Sequence, residues 1–381
     1  MGNPPTRIAL LGSTGSIGRQ TLDVVRAHPD RFAIVALAAG RNVELLAEQV
    51  REFRPSMVFC ERPDDLRQLL GENLPQLTDL CEMVVDPEVD VVMSAIVGKG
   101  GLEPALAAAK AGKPVALANK EAMVMAGGLM KQAAREGGGE LRPVDSEHSA
   151  IWQCLAGEDP GRVKKLIITA SGGALRDLPL SELAEVGPAE ALAHPTWSMG
   201  HRITIDSATL FNKGLEVIEA HWLFDIPYDR IDVLLHRESI IHSMVEMVDG
   251  SFKAHLSYPD MRQPIQFALT YPERLALDLP PVDFARMGSL NFGELDRDRY
   301  PCLNLVLQAG AAGRTYPAAL AAADEEAVAA FLDGRLPFLD IPRLLADTLE
   351  RHQPGDATSL EPILEADAWA RDFARTWVKD R

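Results

Sequence analysis

A short apolar run, Arg7-Ile8-Ala9-Leu10-Leu11, meets Gly12-Ser13-Thr14-Gly15-Ser16-Ile17-Gly18, after which Ile17, Thr21, Leu22 and Val25 recur at helical spacing. Strand, glycine loop and helix in immediate succession open a dinucleotide-binding unit. The glycines let the backbone approach a pyrophosphate, and the helix N-terminus offers N–H groups and about half a positive charge. The spacing is G-x-x-G-x-x-G rather than G-x-G-x-x-G, so the flanking strand and helix carry more weight than the spelling. A plain glycine-rich turn is the alternative.

A second strand, 32–38, ends in Ala39-Gly40-Arg41-Asn42. An NAD site places an acid near this point for the ribose 2′-hydroxyl, whereas an arginine suits a 2′-phosphate. Arg41, with no acid beside it in the chain, favours NADP; an exposed loop arginine is the bland reading. Asn42 is placed to cap a helix whose apolar face is Val43, Leu46, Val50 and Phe53. Further apolar runs at 89–93 and 114–118, divided by a helical stretch at 102–111, predict a mostly parallel sheet buried on both faces. The last run ends in Asn119-Lys120-Glu121, three polar residues at the edge where such sheets bind ligands.

The glycine run 137–139 and a strand at 141–144 lead into Pro143-Val144-Asp145-Ser146-Glu147-His148-Ser149. Read as an extended strand end, the segment turns Asp145 and Glu147 to the same side, and two like charges held together need a cation or a shared proton. A solvated acidic loop is the alternative. Residues 150–156 then read as a short helix. A strand at 163–170 runs into Ser171-Gly172-Gly173, which suits either a nest of N–H groups for an anion or a tight turn.

Residues 193–202, Ala-His-Pro-Thr-Trp-Ser-Met-Gly-His-Arg, fit neither period and suggest a loop that closes over something. Beyond them, Leu210, Leu215, Ile218 and Leu223 give a broken helical stripe. Ser207, Asn212, Lys213 and Glu216 fall on its polar side, either a solvated face or a phosphate-and-metal platform. Strands at 231–235, 241–247 and 253–256 imply an α+β second domain. A proline-punctuated linker and helices at 302–312, 318–332, 340–352 and 358–379 follow, the latter a small bundle.

With 381 residues the chain has room for two or three cores. Its net charge of −17 argues against nucleic acid or an anionic membrane as partner, though a few local cations suffice for a small phosphorylated molecule. Cys60, Cys81, Cys154 and Cys302 lack metal or redox spacing and read as core residues of a reduced compartment. No apolar run reaches membrane length, and the first strand starts too early for a leader, so the expected location is the cytoplasm. Met1-Gly2-Asn3-Pro4-Pro5-Thr6 meets the loose myristoylation pattern, which is often matched by chance.

Taken in order, the glycine loop, Ala118-Asn119-Lys120-Glu121, the Pro143–Ser149 segment, His194-Pro195-Thr196-Trp197-Ser198-Met199-Gly200, Asp206-Ser207-Ala208-Thr209 and Asn212-Lys213-Gly214-Leu215-Glu216 resemble 1-deoxy-D-xylulose 5-phosphate reductoisomerases. Ile241-His242-Ser243-Met244 and Pro259-Asp260-Met261-Arg262 extend the likeness over nearly the whole chain. The resemblance implies an α/β chain: a Rossmann-like NADPH domain (1–145), an α+β catalytic domain (146–280) with a mobile loop at 193–203, a linker (281–300) and a C-terminal helical domain (301–381), paired as a homodimer. It implies conversion of the phosphorylated ketose 1-deoxy-D-xylulose 5-phosphate into 2-C-methyl-D-erythritol 4-phosphate.

By the same resemblance Asp145, Glu147 and Glu216 are the metal ligands, and an all-carboxylate set favours Mg²⁺, Mn²⁺ or Co²⁺ over Zn²⁺. Ser171, Ser207, Asn212 and Lys213 would take the substrate phosphate, while Lys120 and Ser146 contact the carbon chain. His194 and Trp197 belong to the closing loop, and Lys120 and His194 join the three carboxylates as catalytic residues. Thr14, Gly15, Ser16, Ile17, Gly40, Arg41, Asn42, Asn119, Glu121 and Gly200 match the NADPH contacts. Three segments depart from the family pattern: Arg237-Glu238 stands for Pro-Gln, Arg202 for a common lysine, and 319–328 for Leu-Asn-Ala-Ala-Asn-Glu-Val-Ala-Val. Two other readings are a relative acting on another phosphorylated sugar and an NADP(H) sensor without turnover; a sensor has no use for three convergent carboxylates.

Overall fold

The computed structural model describes residues 4–197 and 199–381. Met1, Gly2 and Asn3 of the myristoylation pattern and Ser198 of the loop motif lie outside the described residues. The chain forms two compact units: Met1–Ala122 with Met130–Ser149 and Asp260–Leu279, and Met123–Leu129 with Ala150–Pro259 and Pro280–Arg381.

The first unit is built on seven parallel strands, β1 (Thr6–Leu11), β2 (Phe32–Ala38), β3 (Met57–Phe59), β4 (Gln76–Leu77), β5 (Val91–Ser94), β6 (Val115–Leu117) and β7 (Leu141–Pro143). Their order in the sheet is β4-β3-β2-β1-β5-β6-β7. The chain builds outward from β1 to β4, then returns to the other side of β1 for β5 to β7. The topological switch point therefore lies between β1 and β5, whose ends pair Leu11 with Ser94. The central strands are largely apolar because both faces are covered: Ile8, Leu10, Leu37, Val58 and Met93 share one core with helix residues Leu22 and Leu46. The late segment Asp260–Leu279 joins this unit through the helix Arg262–Thr270, which adds Ile265, Ala268 and Leu269 to the same core. The His28 ring bonds Gln266 at 3.0 Å.

The second unit carries a mixed sheet of β8 (Val163–Ala170), β9 (Ile231–Leu235), β10 (Ile241–Met247) and β11 (Phe252–Leu256), ordered β11-β10-β8-β9. Only β8 and β9 are parallel. The helix Phe211–Phe224 lies between this sheet and the C-terminal helices. Val217 and Ala220 pack with Ile168 and Val245 on one side, while Phe211, Leu215 and Ile218 join Val306 and Leu320 on the other. A Cβ at Gly214 would stand 2.5 Å from Val306 Cβ, so glycine is what lets Pro301–Ala312 approach. The remaining bundle helices are Tyr316–Leu332, Asp340–Arg351 and Leu360–Lys379. The first of these is rich in buried alanine, and small side chains let helices pack closely. Residues 280–301 hold one short helix, Phe284–Met287, and a bridge from Gly293 to Leu235. Among the described residues no helix is long and apolar enough to cross a membrane.

Candidate active site

The glycine loop of the first unit is shaped by close approach. Gly12 has φ +86°, and a Cβ there would sit 2.4 Å from the Ala95 carbonyl oxygen, across the switch point. A Cβ at Gly18 would sit 2.2 Å from the Gly12 carbonyl oxygen, so only glycine allows the helix Ser16–Ala27 to rest on the loop. Thr14, Gly15, Ser16 and Ile17 form the partly open mouth of this cradle, and no acid occupies the helix's first turn. The helix start thus presents N–H groups with no competing carboxylate, the arrangement an anion site requires.

At the end of β2, Asn42 Oδ1 accepts from the Leu45 amide at 3.2 Å, the cap its position predicts. Gly40 and Arg41 precede it. Arg41 projects into solvent with its Nε 3.3 Å from Glu61 Oε2, an acid twenty positions away that the local sequence does not reveal. Asn119 is internally committed: its amide donates to the carbonyls of Ile96 and Gly98 and its Oδ1 accepts from the Ala122 amide at 2.7 Å. It ties the loop after β5 to the start of the helix Lys120–Gly137, on which Glu121 is also buried.

The extended reading of Asp145 to Glu147 is corrected by the structure. β7 stops at Pro143 and a helix already begins at Ser146, running to Leu155, with the Ser149 amide on the Asp145 carbonyl at 2.8 Å. Asp145 stands just before the helix and Glu147 lies in its first turn. The cause is electrostatic: carboxylates at a helix start are stabilised by its unpaired N–H groups, and Asp145 Oδ1 takes the Ser146 amide. Periodicity from 150 onward misses this first turn because its residues are polar.

Asp145 Oδ2 lies 2.9 Å from Lys120 Nζ and 3.5 Å from His148 Nδ1. Burial by itself would raise the Asp145 carboxyl, but the Lys120 ammonium and the His148 ring overcome it and hold the group well below the usual carboxylate range. The Ser146 hydroxyl donates to Glu147 Oε2 at 2.6 Å. The first unit therefore gathers Lys120, Asp145, Ser146 and Glu147, with one carboxylate firmly ionised.

In the second unit, Ser171 follows β8 and is succeeded by two glycines of positive φ, +85° at Gly172 and +73° at Gly173. A Cβ at Gly173 would lie 2.5 Å from the Ser207 carbonyl oxygen, so this turn rests directly on the end of the helix His201–Ala208. Arg176 donates to the Ser171 carbonyl at 2.8 Å, and the Tyr300 hydroxyl to Gly172 at 3.0 Å. Neither residue carries a local motif; both arrive by tertiary packing.

His194 is held from both sides. Its Nδ1 accepts the Thr196 and Trp197 amides at 3.2 and 2.9 Å, which leaves Nε2 to carry the proton and donate to Ser171 Oγ at 3.0 Å. The ring is accordingly neutral: burial first, then the nearby Arg176 charge, push its pKa down to about 4. Trp197 faces His242, ring centres 6.3 Å apart. Gly200 then begins the helix His201–Ala208 as its N-cap, with no atom near its absent Cβ.

The broken helical stripe proves to be two helices parted at Leu210, whose φ is +54°. In the second, Asn212 Nδ2 lies 2.6 Å from Glu216 Oε1 and Lys213 Nζ 2.5 Å from Glu216 Oε2. Lys213 and Glu216 are both buried, which removes the solvated-face reading. The Glu216 carboxylate thus has the Lys213 ammonium on one oxygen and the Asn212 amide on the other.

A doubly wound sheet with a glycine cradle at its switch point, and ionised carboxylates beside lysines and a positive-φ serine–glycine turn, define a dinucleotide-dependent oxidoreductase built for an anionic substrate. The chain belongs to the 1-deoxy-D-xylulose 5-phosphate reductoisomerase family. A family model of that description matches residues 8–127, and its two C-terminal-domain models match 141–224 and 256–373. The reductoisomerase of Thermomicrobium roseum is 53% identical over 379 residues, covering 97% of each chain; that of Geobacillus kaustophilus is 54% identical over 376 residues, covering 97% of this chain and 98% of its own. Among solved structures, the Zymomonas mobilis reductoisomerase in complex with NADPH aligns with a TM-score of 0.92 at 41% identity, over 99% of this chain and 100% of that one. A reductoisomerase in complex with NADPH, fosmidomycin and magnesium aligns at 0.93 and 40% identity, over 98% of each.

Proposed function

We propose that this chain converts 1-deoxy-D-xylulose 5-phosphate into 2-C-methyl-D-erythritol 4-phosphate, using NADPH and a divalent cation. The observation that carries the reading is the state of the carboxylates. Asp145 is kept ionised by Lys120 and His148, and Glu216 is buried against Lys213 and Asn212. Such donors suit a hard cation, and Asp145, Glu147 and Glu216 would hold Mg²⁺, Mn²⁺ or Co²⁺. The cradle that Cβ atoms at Gly12 and Gly18 would fill suits a pyrophosphate, and Arg41 a 2′-phosphate. When bound, the cation supplies Lewis-acid polarisation of substrate oxygens and NADPH supplies the hydride.

The chain's own residues do the positioning. Lys213, Asn212, Ser171 and Ser207 anchor the substrate phosphate, which fixes the carbon chain for rearrangement. The N–H of His194 Nε2 is aimed at the same end of the site and offers a donor without a second positive charge. Lys120 and Ser146 orient the reacting carbons, and Trp197 excludes water as the 193–203 loop closes. Thr14 to Ile17, Gly40, Asn42, Asn119, Glu121 and Gly200 complete the cofactor site. The chain acts as a cytoplasmic homodimer, divided into cofactor (1–145), catalytic (146–280), linker (281–300) and helical (301–381) parts. Incubation with 1-deoxy-D-xylulose 5-phosphate, NADPH and Mn²⁺ tests the reading by product identity. The branched tetritol phosphate is expected; a reduced but unbranched sugar phosphate would replace it with another activity of the same scaffold.

A further inference from the structure

We propose that Glu61 sets the preference between NADPH and NADH, by standing its carboxylate where the cofactor's 2′-substituent is read. The proposal rests on Arg41 being the 2′-phosphate partner. In dinucleotide-binding sheets the residue at the end of the second strand decides the cofactor: an acid there accepts the ribose 2′-hydroxyl and repels a phosphate. Here β2 ends at Ala38 with no acid directly after it, and Gly40, two residues on, has no side chain. The space beside it is filled from the neighbouring strand instead. A Cβ built on Gly40 would stand 3.4 Å from Glu61 Oε1 and 3.7 Å from its Cδ.

The acid is held there by the sheet. β2 and β3 pair in parallel up to Ala38 and Phe59, the Ala39 amide donates to the Phe59 carbonyl at 3.0 Å, and the Glu61 amide to the Gly40 carbonyl at 3.2 Å. Glu61 Oε2 also lies 3.3 Å from Arg41 Nε, but the Arg41 side chain is 87% exposed and the contact is long. A pair of this kind is released at little cost, so Arg41 can turn from Glu61 to a phosphate. The local arrangement thus holds both selectors at once. Arg41 rewards the phosphate of NADPH. Glu61 opposes it, competing for the guanidinium and adding a like charge, while offering an acceptor to the 2′-hydroxyl of NADH.

Binding of NADPH and of NADH to the full-length protein, measured by fluorescence titration without substrate, tests this. Glu61→Gln keeps the shape and removes the charge. It is expected to tighten NADPH about fivefold at low salt, from the loss of one exposed like charge near a phosphate, with a smaller gain at high salt. NADH should bind equally or more weakly. Arg41→Gln should weaken NADPH by a larger factor than NADH, and in that background Glu61→Gln should give a smaller NADPH gain, because competition for the guanidinium is gone. Unchanged NADPH and NADH affinities in Glu61→Gln, with Arg41→Gln still weakening NADPH more than NADH, would overturn the role of Glu61 alone. A wild-type protein without preference for NADPH would instead overturn the Arg41 reading beneath it.

Discussion

Gly173→Ala perturbs the Ser171-Gly172-Gly173 turn, the proposed phosphate anchor, at one atom, and its neighbour provides the control. Both Gly172 and Gly173 have positive φ, +85° and +73°, so an alanine at either pays about 1–2 kcal/mol for the left-handed backbone. Their surroundings differ. The Cβ at 172 would meet Arg176 Cβ at 3.0 Å and Cδ at 3.3 Å, side-chain atoms with some freedom to shift. The Cβ at 173 would meet the Ser207 carbonyl oxygen at 2.5 Å and Ala208 Cα at 2.7 Å, backbone inside a helix that cannot move without carrying Ser207 along. Overpacking of this kind costs about 1–3 kcal/mol, so Gly173→Ala should be destabilised by about 2–5 kcal/mol and Gly172→Ala by roughly half that. Urea unfolding of both variants, followed by tryptophan fluorescence, gives the stabilities. Inorganic phosphate titration gives the functional consequence, with weaker binding in Gly173→Ala because Ser171 and Ser207 are pushed apart. Equal destabilisation of the two variants would refute the reasoning, since the shared backbone penalty would then account for everything.

Three further outcomes follow from the side chains. Glu216→Gln should lose turnover by orders of magnitude while its NADPH affinity stays near wild type; equal losses in both would mark Glu216 as structural. The His194 ring, neutral between two backbone donors and Ser171, should titrate near pH 4 in labelled-histidine NMR rather than near the usual value of about 6.5. Because its folded pKa is depressed, its contribution to stability is present above about pH 6.5 and is lost as pH falls toward 4; a midpoint at the ordinary value would contradict the bonding described. Burial, followed by the nearby Asp206 charge, raises the Asp324 carboxyl well above its ordinary range. Stability from a raised acid is present below its unfolded pKa and lost as pH rises through the folded one, so Asp324→Asn should unfold at higher urea than wild type at pH 8 and show little gain at pH 4. A lower urea midpoint for the variant at pH 8 would contradict this.

The cradle was legible in the sequence because its determinants are local. Gly12 and Gly18 announce themselves between an apolar run and a helical stripe, and the cap at Asn42 lies three residues from its donor, the Leu45 amide. The strands of the second sheet were also legible, as short runs rich in Val, Ile and Leu. Reading failed where polar residues start a helix. Ser146 to Ser149 have no apolar period, so the polar first turn carries no helical signal. It also failed where packing joins distant segments. Nothing near Arg41 points to Glu61, nothing near Ser171 points to Tyr300, and the helix Arg262–Thr270 gives no local sign that its apolar face completes the N-terminal core. The interruption at Ala126 within Lys120–Gly137 belongs here too. The following Gly127 lies so close to Trp222 that a Cβ would stand 2.2 Å from the indole, a contact nearly a hundred positions away.

Oxidation of NADPH by this enzyme requires a divalent cation. Protein freed of metal with a chelator, then given 1-deoxy-D-xylulose 5-phosphate and NADPH, should leave the cofactor absorbance unchanged until Mn²⁺ or Mg²⁺ is added, and then consume NADPH in step with the sugar phosphate. Oxidation at the same rate before and after the cation is added, or none at all with it, would contradict the account.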